Sequence, residues 1–78
     1  PIEAKASFEQ ARQRLASLEI QEIRLAAEIT GDALNFSSEL LSVAPTVVAT
    51  EKALFSSRRA DLAAKQSVLQ QQLNQRNQ

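Results

Sequence analysis

IEAKASFEQARQRLASLEIQEIRLAAEIT, residues 2–30, is the stretch that decides the fold. Written as heptads, it places Phe8, Leu15, Glu22 and Ile29 at one core position and Ala4, Ala11, Leu18 and Leu25 at the other. Seven of these eight residues are apolar, and the exception is Glu22. Spacings of three and four gather them on one helical face, because an α-helix turns once in 3.6 residues. Ile20 and Ile23 flank this seam and widen it beyond a strict two-in-seven pattern, a width suited to more than one neighbouring helix. The other face carries Glu9, Arg12, Gln13, Glu19 and Arg24, with Glu9 and Arg12 spaced for a helical ion pair. Glu22 reads as a seam-edge carboxylate reaching a nearby arginine. The sharper alternative is a buried polar group that fixes register.

Gly31, the single glycine, ends this helix, since it adopts a left-handed conformation at no steric cost. The period is lost from Asp32 to Thr46, and the spacing predicts a connector over about residues 31–45. Asn35, Ser37 and Ser38 are turn and cap formers, and Ser37 is placed to cap a single helical turn through Glu39, Leu40 and Leu41. Phe36, Leu40 and Leu41 are too apolar for a freely solvated loop, so the connector is expected to pack down on a helix. Pro45 fits the first turn of a new helix, predicted over about 46–76 and fraying in Asn74 to Gln78. Val48, Phe55, Leu62 and Leu69 recur at sevens along it, with Leu73 one turn on. Lys52, Arg59 and Gln66 alternate with them and make this second seam half polar.

The expected fold is therefore all-α: two long amphipathic helices joined by a connector of about 15 residues, a coiled-coil helical hairpin. A short link favours antiparallel neighbours. A connector of this length also reaches back along a helix of about 45 Å when extended, which would leave the two helices parallel. The packing seam is assigned to Phe8, Leu15, Leu18, Leu25, Ile29, Val48, Phe55, Leu62, Leu69 and Leu73. Arg58 or Arg59 is the candidate for a polar contact between subunits, the other facing solvent because adjacent helical residues lie about 100° apart.

Composition narrows the function. Cys, His, Trp and Tyr are absent, which removes the usual metal, nucleophile and proton-shuttle side chains, so no catalytic residue, metal site or cofactor is expected. Nine basic residues balance nine acidic ones, without the net basic face of a nucleic-acid binder. No apolar run reaches the ~18–20 residues that span a bilayer, so no direct membrane insertion is expected of this segment. The chain starts at Pro1 and its Gln-rich tail shows no helix stop, the expectation being a segment of a longer protein.

The order of features in the second half is more specific. Phe36-Ser37-Ser38-Glu39-Leu40-Leu41, a short gap, and then Leu54-Phe55-Ser56-Ser57-Arg58-Arg59-Ala60-Asp61-Leu62 resemble the periplasmic adaptors of type I secretion systems. These are the HlyD-like membrane fusion proteins, in particular the branch serving protease and adhesin exporters. In that branch a Phe-Pro-x-Glu-Leu-Leu-like connector precedes a long helix opening with Leu-Phe-x-x-Arg-Arg-x-x-Leu and continuing in Gln- and Leu-rich heptads. Ser37 stands where the proline is expected, and Pro1 to Ala6 look like the exit from a lipoyl-like domain.

The resemblance implies a structural part of an oligomeric periplasmic adaptor. Its parent would be anchored in the bacterial inner membrane and would join an inner-membrane ABC transporter to a TolC-like outer-membrane channel for protein export. The family's channel-docking tip lies further along the long helix, so contact with the channel is not assigned to these residues. The competing reading is a generic coiled-coil dimerisation module of a cytoplasmic protein. An amphipathic membrane-surface helix is weaker, because the polar face is not Lys/Arg-rich and no Trp supplies an anchor.

Overall fold

The computed structural model describes residues 1–77. Three helices follow one another: α1 (Ile2–Thr30), α2 (Ser38–Val43) and α3 (Pro45–Arg76), with no strand among the described residues. Of the tail expected to fray, α3 holds helical geometry through Arg76, and Gln78 lies outside the described residues. At 1.5 Å per residue α1 and α3 are about 44 and 48 Å long. The molecule is nevertheless a rod of 74 × 18 × 16 Å, longer than either helix and only two helices thick.

Local chemistry sets each boundary. Gly31 takes φ 78, ψ 8, and its N–H donates to the Ala27 carbonyl at 2.9 Å, closing α1. Residues 31–37 then run without helical structure. Ser37 starts α2, its Oγ accepting from the Leu40 N–H at 3.2 Å. Ala44, at φ −140, ψ 62, separates α2 from α3, and Pro45 opens α3 where its missing N–H costs no helical bond.

The chain folds back on itself through the connector, but α3 then sets off in the same direction as α1. Gln13 meets Val43, Arg24 meets Glu51, Glu28 meets Arg58 and Gly31 meets Arg59. Partners keep an almost constant separation of 27, 28 or 30 residues, whereas antiparallel helices would show separations that grow away from the turn. The expected antiparallel arrangement is thus corrected to a parallel, staggered one. The reason lies in reach: seven extended residues cover about 23 Å. That carries the chain from the end of α1 back to its middle, where α2 and the start of α3 settle.

The core sits at that middle. Ala16, Ile20, Leu40, Ala44 and Val48 are buried together, with Ile23, Phe36, Val43 and Val47 packed around them. Ile20 is fully enclosed. Alanines at 16 and 44 let the backbones approach closely, and Gln13 Nε2 donates to the Val43 carbonyl at 2.8 Å, covering the end of α2.

Candidate interface at the helix crossing and along the outer seam

Beyond the apolar core, α1 and α3 meet through charge. Arg24 is buried and projects from α1 toward α3, where its Nε donates to Glu51 Oε1 at 3.0 Å. Its Nη1 donates to Glu28 Oε1 at 2.8 Å, one turn along α1. Glu28 also receives Arg58 Nε as an ion pair at 3.5 Å. Both side chains of the Arg24–Glu51 pair are only 9% exposed. The hydrogen bond to Glu51 raises the Arg24 pKa above its ordinary value; burial opposes this, and Glu28 adds to the rise. A cation held this way loses its stabilising charge only above the ordinary arginine range, so Arg24 stays charged wherever the chain is folded.

A second contact closes the end of α1. Arg59 lies over the Phe55 ring at 5.3 Å and its Nη2 donates to the Gly31 carbonyl at 3.2 Å, satisfying an acceptor at the helix terminus. Of Arg58 and Arg59, one was expected from sequence to serve a contact between subunits and the other to face solvent; both engage α1 of their own chain.

The predicted seam divides. Val48 and Phe55 are buried in the α1–α3 contact. Phe8, Leu15, Leu18, Leu25 and Ile29 are exposed, and they lie on the side of α1 away from Ile20: Ile29 follows Ile20 by nine residues, half a rotation at 100° each. The intramolecular face of α1 is instead Ala16, Ile20, Ile23 and Ala27, with Arg24 beside them. Arg24 therefore belongs to the packed face and not, as expected, to the solvated one. Leu62, Leu69 and Leu73 continue the Val48–Phe55 face but are exposed, because α1 has ended at Gly31, level with Arg59. Glu22 is exposed on the outer seam.

The pattern that escaped the heptad assignment is visible in retrospect. Ala16-Ile20-Ile23-Ala27 on α1 and Ala44-Val48-Glu51-Phe55, on α3 and its cap, share the spacing i, i+4, i+7, i+11. Ion pairing at Glu9–Arg12, 3.0 Å, forms on the exposed face as the spacing suggested. Among the described residues no group of three or more His, Cys, Asp or Glu is placed to hold a metal, and no helix is long and apolar enough to cross a membrane. What the arrangement offers is a charged clasp holding two helices in register and long apolar faces left open.

Set beside known protein families, residues 4–78 match the family described as "AprE, long alpha-helical hairpin". No curated protein matches the chain, and no solved structure does.

Proposed function

The chain belongs to the AprE long α-helical hairpin family, AprE being a type I secretion membrane fusion protein, and from that membership we propose that it is a non-catalytic structural segment of such an adaptor. The observation that carries this reading is a family match that takes in both long helices and the connector between them. Its finer placement is among the HlyD-like adaptors: an inner-membrane-anchored, periplasmic parent, several copies of which join an ABC transporter to a TolC-like outer-membrane channel for protein export. The chemistry of the chain supports a mechanical role. Its polar contacts hold helices together, and it carries neither a nucleophile of the Cys type nor a His or Tyr to move protons.

In this role the Arg24–Glu51–Glu28 clasp keeps α3 in one register on α1, and the open apolar faces supply contacts to neighbouring helices of the assembly. Packing of that kind needs no cofactor. Sequence flanking residues 1–78 in the parent reading frame is the direct test. Lipoyl-like strands upstream and a returning helix downstream are expected. A cytoplasmic enzyme or signalling domain on either side would overturn the adaptor reading. In cells, deleting residues 31–62 from the parent is expected to abolish export while leaving the transporter in the membrane.

A further inference from the structure

α1 is apolar on two opposite faces, and its own fold uses one of them. The inner face, around Ile20, takes the connector, α2 and α3. The outer face leaves Leu18 56%, Leu25 47% and Ile29 86% exposed. α3 has an outward side as well, opposite Val48, where Thr46, Ala53 and Ser57 are exposed and uncharged. We propose that the outer face of α1 in one copy seats on the outward side of α3 in the next, with both copies level and running in the same direction.

Register, shape and charge select this occupant. Within the chain Gly31 meets Arg59, 28 residues on, and Ile20 packs with Val48 at the same offset, which is four heptads. The outward positions of α1 and α3 are therefore in the same heptad phase at the same height. A neighbour displaced sideways, with no slide along the axis, brings Leu18 against Thr46, Leu25 against Ala53 and Ile29 against Ser57. Each layer sets a bulky side chain against a small one, a knob over a hole. Glu22, the one charge on the α1 seam, comes opposite Thr50. The Thr50 hydroxyl donates to the Thr46 carbonyl at 3.0 Å and can rotate to serve the carboxylate instead. From Thr46 to Ser57 the charged residues are Glu51 and Lys52, both on the side of Val48, so no carboxylate on that outward side opposes Glu22. Pairing α1 with α1 in the same direction would set Glu22 directly against Glu22. Pairing α3 with α3 would leave Leu18, Leu25 and Ile29 in water.

The common direction rests on the adaptor reading, under which copies are anchored in one membrane and stand level; the contact specifies which surfaces then meet. The two surfaces lie on opposite sides of a rod 18 × 16 Å in section, so each copy seats on one neighbour and receives another. A heterologous contact of this kind repeats sideways, and without an axial slide it closes into a ring instead of winding into a filament.

These 78 residues contain no cysteine, so two introduced thiols report the contact. Ile29→Cys and Ser57→Cys are placed together in the full-length parent in its membrane, with any cysteine elsewhere replaced by serine. Within one copy the two positions are on opposite sides, too far apart to bridge. Oxidation is expected to give a ladder of covalent species extending past the dimer, and neither single variant should cross-link. Dimers from Ile29→Cys alone would mean α1 against α1, and dimers from Ser57→Cys alone α3 against α3; either overturns the proposal. A size swap supplies the second arm. Ala53→Leu should reduce the ladder about tenfold by crowding Leu25, and Leu25→Ala/Ala53→Leu should restore it. Both positions are exposed within the chain, so helix content should not change. A ladder that stops at the dimer, or no rescue by the swap, refutes the contact. Export by the same parent reports the adaptor reading separately. Intact export with no ladder sinks the contact alone, whereas a full ladder in a parent that takes no part in export supports the contact and removes the adaptor.

Discussion

Arg24 has two carboxylates and Glu51 has one cation, and this asymmetry predicts unequal costs for breaking the same ion pair. In Arg24→Met the Glu51 carboxylate keeps its place in a site 9% exposed and loses its ion-pair partner, while Glu28 retains Arg58. Stranding a buried charge costs about 3–5 kcal/mol. In Glu51→Leu the Arg24 guanidinium keeps Glu28 at 2.8 Å, so the expected loss is about 1–2 kcal/mol. Replacing both, Arg24→Met with Glu51→Leu, removes two desolvated charges and leaves apolar surface, for a net change within about 1 kcal/mol of the natural chain. The four proteins form a double-mutant cycle whose coupling, the sum of the two singles less the double, is about 4–7 kcal/mol. Urea unfolding followed by far-UV circular dichroism measures it. A stabilising osmolyte at one fixed concentration keeps Arg24→Met folded, since a chain of this size holds only several kcal/mol in total. Glu51→Leu proving costlier than Arg24→Met, or a double variant as unstable as the sum of the singles, would show that the clasp does not act through paired burial.

Spin labels at Lys5 and Leu73 should report a separation approaching the 74 Å long axis, because parallel staggered helices put those sites at opposite ends; a short distance would restore an antiparallel hairpin. Ile20→Ala, at a fully buried side chain, should cost about 2–5 kcal/mol, and Leu18→Ala, exposed two residues earlier, within about 0.5 kcal/mol in the monomer; equal costs in thermal melts would disprove the inner-face assignment. Gly31→Ala should cost about 1 kcal/mol from backbone strain alone, since nothing lies within 4 Å of a Cβ built there, and melting of Gly31→Asn should show a smaller loss. Ser37→Ala should cost about 1 kcal/mol and speed hydrogen exchange at the Leu40 amide; unchanged exchange would mean the cap contributes nothing.

Boundaries were legible because single residues set them: Gly31 by its left-handed backbone, Ser37 by its hydroxyl, Pro45 by its missing N–H. Helix direction was not, because it depends on where an extended connector lands, and Phe36, Leu40 and Val43 fix that only through contacts made after folding. The face of α1 that packs within the chain was not legible for a related reason. Phe8, Leu15 and Leu18 outweigh Ala16 and Ala27 in bulk, yet small side chains let α3 and the connector approach, so the bulky face was left outward. Arg24 read as a solvated charge because its partner, Glu51, lies 27 residues away, beyond any helical period.

Parallel stagger also decides where the chain goes. An antiparallel pair would return the chain to its starting level, but here it enters at one end of a 74 Å rod and leaves at the other. The segment is in effect a strut that adds distance, and its length is set by how far α3 slides past α1 before the Arg24–Glu51 clasp engages. Past Arg59 the strut is a single helix with no Gly or Pro, so its stiffness there is that of bare α-helix. Seven residues inserted after Leu62 would lengthen it by about 10.5 Å while turning the faces by only about 20°. Reach in such a strut can therefore change one heptad at a time without disturbing the joint that fixes its angle.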